Sequence, residues 1–272
     1  LKRQVSNHQN SAAGLAFSPD GTRLAVGTDD GLVVLDTSTW STLWTDALDS
    51  VKIVWSNTAA ELVSASLDDG LVTSYSKEGA RRWRKGLGYS PLYLHVDASG
   101  RTVAAGKSRV VIAWDSSGNQ MWSREIAHTS NRTMQNRGAT QLGDLAVIPS
   151  FNGLTYGLGA SGELLWQRFL PVVSEPDPSG GMMQRVPGPG HGATYATNDG
   201  SLIVMGTRGM QVVVLSKNGT MLWQSEVFAA RLGYQDGAGY HPSVNSIVVT
   251  EDGKTIVAGF SDATIRIFTR TT

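Results

Sequence analysis

Apolar residues along this chain come in short runs of strand length, separated by turn residues, and the order of runs and turns repeats. In the first unit, Gly14 to Phe17 is apolar and Ser18-Pro19-Asp20-Gly21 is turn chemistry. A second apolar run, Arg23 to Thr28, follows, then Asp29-Asp30-Gly31, a third run from Leu32 to Asp36, a turn over Ser38 to Ser41, and a fourth run from Thr42 to Asp46. Runs of this length bounded by Gly, Asp, Asn and Ser predict strands joined by tight hairpins, in which positive φ must be reached at low steric cost. The unit reads as a four-stranded antiparallel meander. Later second strands are predicted over Leu62 to Leu67, Val103 to Lys107, Leu145 to Ser150, Leu202 to Thr207 and Thr255 to Phe260. Third strands follow over Leu71 to Ser76, Val110 to Asp115, Leu154 to Leu158, Gln211 to Ser216 and Thr264 to Thr269. The near-continuous apolar character of the second strands predicts sheets covered on both faces.

Tryptophan marks the end of each unit. Trp44, Trp83, Trp122, Trp166 and Trp223 fall at the same point of the repeat, with steps of 39, 39, 44 and 57 residues. A period near forty belongs to folds in which each unit is too small to bury its own apolar face and packs on its neighbours. Six second strands and six third strands are predicted, but five fourth strands. Lys2 to Ser6 precedes the first unit where a fourth strand would sit. The expectation is an all-β, six-bladed β-propeller of four-stranded antiparallel blades, with the N-terminal strand completing the last blade and removing an exposed sheet edge. Residues 1–8 supply that outer strand. The blades are expected at 11–47, 50–86, 91–126, 138–170, 192–227 and 243–272, as a single domain.

Composition narrows the function classes. A 40% hydrophobic content with 17% charged residues fits a packed β-rich core. The 23 basic and 23 acidic side chains balance, so no net field steers the protein toward nucleic acid or an anionic membrane. Without cysteine there are no disulfides, thiolate ligands or cysteine nucleophile. No apolar run reaches the length of a membrane-spanning helix. A start at Leu1 fits a processed or excised segment, and Asn131-Arg132-Thr133 and Asn218-Gly219-Thr220 match the N-glycosylation pattern. The expectation is a secreted or cell-surface protein, with a cytoplasmic one as the alternative.

The Ser-Pro-Asp-Gly-Thr turn at 18–22 and the Trp114-Asp115 pair ending a third strand resemble WD-repeat proteins. Ser-Gly-Asn-Gln-Met-Trp at 117–122, Ser-Gly-Glu-Leu-Leu-Trp at 161–166 and Lys-Asn-Gly-Thr-Met-Leu-Trp at 217–223 resemble the quinoprotein-dehydrogenase-like repeats, where a glycine turn leads into a strand with a docking tryptophan. The resemblance covers essentially the whole chain and implies the β-propeller fold. Quinone-dependent dehydrogenases of that superfamily are typically eight-bladed, often with adjacent cysteines. With six units and no cysteine here, no quinone or other cofactor is expected.

Irregularity is concentrated in the links from the outer strand of one blade to the inner strand of the next. Ile126 to Gly138, Leu170 to Gly192 and Val227 to Ser243 are long, and insertions on one face of a repeat protein mark its binding surface. They carry Arg132, Arg137, Arg185 and Arg231 with Gln184, Tyr234, Tyr240 and His128, a set suited to carboxylate, sulfate or phosphate groups. Alternatively, those arginines pair with Glu175, Asp177 and Asp236 and stiffen the loops. His8, His191 and His241 each lie just before an inner strand of neighbouring blades, where three imidazoles could bind a metal. The WD-repeat resemblance implies a structural role instead, His8 with Thr28 and Asp29 or Asp30, and His241 with Ser261 and Asp262. Pro171 to Gly192, rich in Pro and Gly, shows no strand or helix periodicity and reads as a functional or mobile loop containing Met182 and Met183.

No phosphate-binding glycine loop, His-Glu-x-x-His pair, Gly-x-Ser-x-Gly elbow or calcium loop occurs. The leading expectation is a non-enzymatic scaffold recognising a protein, glycan or other ligand, an anionic small molecule among them, through the channel-mouth face that bears the long links. The alternatives are a propeller enzyme (lyase, hydrolase or transferase) using channel-mouth His and Arg, and a structural subunit of a surface assembly.

Overall fold

The structure, a computed structural model, describes residues 14–28, 30–48, 52–58, 60–66, 69–106, 110–126, 140–149, 154–170, 173–176, 182–185, 189–197, 200–207, 211–226, 244–250, 252–260 and 262–269. Every described element is a strand, and every pairing is antiparallel. The chain divides into two compact units, Leu1–His128 and Thr129–Thr272.

The first unit holds three four-stranded sheets. They comprise β1 to β4 (Gly14–Phe17, Arg23–Thr28, Gly31–Asp36, Thr42–Asp46), β5 to β8 (Lys52–Trp55, Glu61–Ala65, Leu71–Ser76, Arg81–Gly86) and β9 to β12 (Pro91–Val96, Thr102–Gly106, Val110–Trp114, Gln120–Glu125). The meander expected for the first unit is therefore observed, with only its third strand starting one residue earlier. Turn carboxylates fix the hairpins: Asp20 accepts from the Ser18 hydroxyl at 2.5 Å and from the Thr22 amide at 3.0 Å. Asp36 does the same for the Ser38 hydroxyl at 2.6 Å and the Thr39 amide at 2.8 Å. These bonds favour the ionised form, so both carboxyls are held down at about 2, chiefly by the Ser18 and Ser38 hydroxyls respectively.

The second unit begins with β13 to β16 (Thr140–Leu142, Leu145–Pro149, Leu154–Leu158, Leu164–Phe169) and a separate hairpin, β17 and β18 (Val173–Pro176, Met182–Arg185). A further four-stranded sheet, β19 to β22 (Pro189–Ala196, Leu202–Thr207, Val212–Ser216, Met221–Gln224), and a three-stranded sheet, β23 to β25 (Val244–Val249, Thr255–Phe260, Ile265–Thr269), complete it. The β17–β18 hairpin places two short strands in Pro171 to Gly192, where no strand periodicity was read. Its strands have four residues each, too few for a period of two to show, yet Asp-Pro-Ser-Gly-Gly between them is hairpin chemistry. His191, expected before an inner strand, lies inside β19, in an irregular stretch between the paired residues Pro189 and Thr194.

Within each unit the sheets pack face to face, first strand beside first strand. Ala25, Leu32 and Val34 of one sheet close on Ile53, Trp55 and Leu62 of the next, and Val204, Val212 and Val214 close on Ile247, Val249 and Ile256. Burial of these apolar faces is the main driving force, at roughly 25 cal/mol per Å² removed from water.

Three of the repeated tryptophans secure the outer side of such junctions. Trp44 on β4 donates its indole N–H to the Lys77 carbonyl at 3.1 Å, Trp83 on β8 to Ser116 at 3.2 Å, and Trp166 on β16 to Lys217 at 2.9 Å. Each acceptor lies in the turn that precedes the outer strand of the following sheet. Two residues later in each turn stands a glycine at positive φ: Gly79 (91°), Gly118 (79°) and Gly219 (78°). A Cβ on these glycines would fall 2.6, 2.7 and 2.6 Å from ring atoms of Trp44, Trp83 and Trp166. Glycine is required twice over, by backbone conformation and by the indole against it. Charged groups reinforce the seam. Arg81 binds Asp46 through Nε and Nη2, both at 2.6 Å, and the Arg168 Nε–H donates to the Gly219 carbonyl at 2.6 Å.

Trp83 is 7% exposed and Trp223 41%. Trp83→Ala is therefore expected to destabilise by about 3–5 kcal/mol and Gly118→Ala by about 1–3 kcal/mol, while Trp223→Ala costs less than either. Urea unfolding of the three variants checks the order.

Candidate functional site

The expected site residues fall mostly beyond what the structure describes. His8, His128, Arg132, Arg137, Arg231, Tyr234, Tyr240 and His241 lie outside the described residues. Gln184 and Arg185 are placed by their backbone on β18, opposite Ser174 and Val173. His191 is likewise placed by backbone alone, on β19. Among the described residues no cluster of three His, Asp or Glu side chains could hold a metal ion. Two supposed histidine partners are engaged locally: the Thr28 hydroxyl donates to the Gly31 carbonyl at 3.2 Å, and Asp262 accepts from the Thr264 hydroxyl at 2.6 Å and pairs with Arg266 at 3.2 Å.

The described titratable groups are tuned for structure. His95, on β9, is driven down to about 4 mainly by burial, the Asp97 carboxylate opposing and the Arg101 guanidinium assisting the fall. It is neutral at ordinary pH, as a core histidine must be. Tyr75 is fully buried and stacks on Trp44 at 5.5 Å, and burial pushes its hydroxyl up to about 12. Glu61 is a buried carboxyl at the junction of the second and third sheets. It accepts from the Ser74 hydroxyl, and Gly100 leaves it room, since a Cβ there would fall 2.8 Å from its Oε2. Burial raises its pKa, Asp97 adds to the rise, and the Ser74 hydrogen bond and Arg82 oppose it.

The outer rim of the second unit carries a surface that the tryptophan spacing did not foretell. Leu165, Leu222 and Trp223 are 56%, 53% and 41% exposed there. Two clefts share Leu222. One, of ≈ 740 Å³, is lined by Leu165, Trp166, Ser216, Lys217 and Thr220. The other, of ≈ 470 Å³, lies between β22 and the last sheet, with Trp223, Phe268 and Ile256 in its wall and Lys254 beside them. Trp223 meets Phe268 edge-on, with ring centroids 5.4 Å apart. The wall of this second cleft also includes Gly253, at positive φ in the turn between β23 and β24. The sheet face and rim together can bind apolar and backbone groups; among the described residues they assemble no nucleophile with a base.

The chain matches the family model described as outer membrane protein assembly factor BamB over residues 3–139, and the WD domain, G-beta repeat model over 238–269. No curated protein matches it. Among solved structures, it is similar to the C-terminal WD40 domain of Sif2, at 12% identity and a TM-score of 0.73, covering 98% of this chain and 72% of that one. The computationally designed Ika8 protein follows at 16% identity and 0.69, covering 97% and 72%, and the WD40 propeller domain of Doa1 at 14% and 0.64, covering 95% and 78%. At such identities the likeness shows the fold. No described helix is long and apolar enough to cross a membrane.

Glu61 generates a prediction with a defined sign. Its folded pKa lies above the unfolded value, so the folded state holds the proton more tightly, and stability from this group falls as pH rises past about 4.5. Glu61→Gln removes that loss and keeps an acceptor for Ser74. The variant should melt with the wild type at low pH and a few degrees above it at pH 7, about 2–4 °C per kcal/mol for a domain of this size. Melting curves from pH 4 to 7 check this.

Proposed function

We propose that this chain, which belongs to the β-propeller repeat family described as outer membrane protein assembly factor BamB, is a non-enzymatic scaffold that binds a protein partner through its long inter-blade links. The observation that carries the reading is the β17–β18 hairpin. It is a two-stranded insertion that joins none of the repeating sheets, set in a link between two of them. The docking seams and buried faces account for the repeating strands, whereas a hairpin outside them adds nothing to the repeat. Insertions of this kind are where propellers carry recognition. Arg132, Arg137, Arg185 and Arg231, with Gln184, Tyr234, Tyr240 and His128, are the side chains assigned to partner contact, the arginines meeting carboxylates as forked donors. His8, His191 and His241 serve the fold in this reading.

The same proposal keeps six blades and gives residues 1–8 the outer-strand place beside β25. The support for it is the count of strands: the last described sheet has three, where the other repeating sheets have four. A secreted or surface location also belongs to the proposal, supported by the family's description as an outer-membrane assembly factor.

Replacing residues 173–185 by a Gly-Ser linker should abolish cross-linking of the native partner while moving the thermal midpoint by only a few degrees. Replacing the four arginines together by Gln should weaken the same complex and flatten its salt dependence. Unchanged capture, or collapse of the thermal midpoint in the linker variant, would overturn the reading.

A further inference from the structure

We propose that the outer strand β8 is a docking site for an extended acidic segment of a partner protein. All five tryptophan-bearing outer strands share one feature: a residue bulges out of the pairing just before the tryptophan. These residues are Leu43, Arg82, Met121, Leu165 and Leu222. Leu43, Met121, Leu165 and Leu222 are apolar, at 43%, 51%, 56% and 53% exposed, and on β8 the same position holds an arginine. The departure extends along the strand. Arg81, Arg82, Arg84 and Lys85 put four exposed cations on β8 around the buried Trp83. By contrast β4 and β22 carry none, and β12 and β16 one each, Arg124 and Arg168. Docking of Trp83 on the next sheet needs none of Arg82, Arg84 and Lys85, since it uses the same indole-to-turn contact as Trp44 and Trp166.

Local carboxylates answer only part of this charge. Asp46 binds Arg81 through both oxygens and belongs to the seam with the preceding sheet. Asp69 reaches Arg84 at 3.4 Å with both side chains exposed, a long and solvent-screened pair that an incoming carboxylate can replace. Arg82 reaches the Ala60 carbonyl at 3.5 Å, which uses one of its guanidinium donors. Lys77 and Glu78, in the turn before the strand, balance one another. Spacing decides what fits. Residues along a strand rise ~3.3 Å each, so Arg82 to Lys85 span roughly 10 Å, and an extended polypeptide of the same rise keeps its carboxylates in step with them. Arg84 and Lys85 pair with Thr73 and Val72, on opposite faces of the sheet, so adjacent acidic residues of the partner are met from both sides. Trp83, at 7% exposed, offers no ring for a base to stack on, and β8 has no exposed apolar side chain to enter a bilayer. A polypeptide is therefore favoured over a nucleic acid strand or a lipid surface. This strand is separate from the links assigned above.

The probe is a dye-labelled peptide of Asp-Glu-Ser repeats, titrated into the full protein at low salt and followed by fluorescence anisotropy. Binding should saturate and should weaken steeply as salt is added. The triple variant Arg82→Gln, Arg84→Gln, Lys85→Gln changes only exposed side chains, so it should keep its thermal midpoint within a few degrees of wild type and bind the peptide at least about tenfold more weakly. Arg124→Gln, at the position on β12 equivalent to Lys85, should leave binding unchanged, which assigns the site to β8 and not to outer strands at large. The protein carrying the 173–185 linker should bind the peptide as well as wild type, so that failure here and failure of the link-based reading are separable. An oligothymidylate of equal charge and vesicles of phosphatidylglycerol should bind more weakly than the peptide. No saturable binding, equal binding by the triple variant, an equal loss in Arg124→Gln, or tighter binding of the oligonucleotide or the vesicles would each overturn the proposal.

Discussion

An indole ring laid against a glycine turn is the contact on which the rest of this molecule depends. A four-stranded sheet of about thirty-five residues cannot exclude water from both faces, so each sheet is stable only against its neighbour. The inner strands meet through interdigitated aliphatic side chains, which give attraction without much direction. The tryptophan seam supplies the direction. Its N–H reaches one carbonyl, its ring covers one glycine, and the sequence separation from Trp44 to Lys77 and from Trp83 to Ser116 is the same 33 residues. Between Trp166 and Lys217 it grows to 51, because the link carrying β17 and β18 intervenes, yet the contact is rebuilt at 2.9 Å. The chain can lengthen between blades without disturbing the seam.

That tolerance divides the molecule into two kinds of sequence. Residues within the sheets answer to burial and register: Glu61 keeps its carboxyl in a junction where ionisation is opposed, and His95 is held neutral by its surroundings. The links vary in length where the sheets do not. The family to which the chain belongs and the propellers it resembles share the first kind of sequence, which is why identities of 12–16% suffice for a common fold and carry no ligand with them.

The sheets were legible in the sequence because their signal is periodic. β1, β2, β4, β7, β15, β20 and β24 have the bounds that the apolar runs predict, and the turns fall where Asp, Asn and Gly cluster. The hairpin β17–β18 was not legible, since four-residue strands of Val-Ser-Glu-Pro and Met-Met-Gln-Arg show no alternation. Trp223 was read as one more docking residue, because its sequence context equals that of Trp166. Among the described residues it meets the neighbouring sheet through Phe268 instead; strand pattern alone does not carry that information. The link arginines, tyrosines and histidines were legible as an anomaly of composition, and their roles rest on the proposed partner.

The most direct test of the account is hydrogen exchange of the tryptophan indole N–H groups in the native protein, read by nuclear magnetic resonance. Trp44, Trp83 and Trp166, each bonded to a turn carbonyl, should exchange slowly and as a group, and Trp223 should exchange far faster. Protection of Trp223 equal to theirs, or rapid exchange at Trp83, would contradict the claim that the indole-on-turn seam, seen at Trp44, Trp83 and Trp166, holds the sheets together.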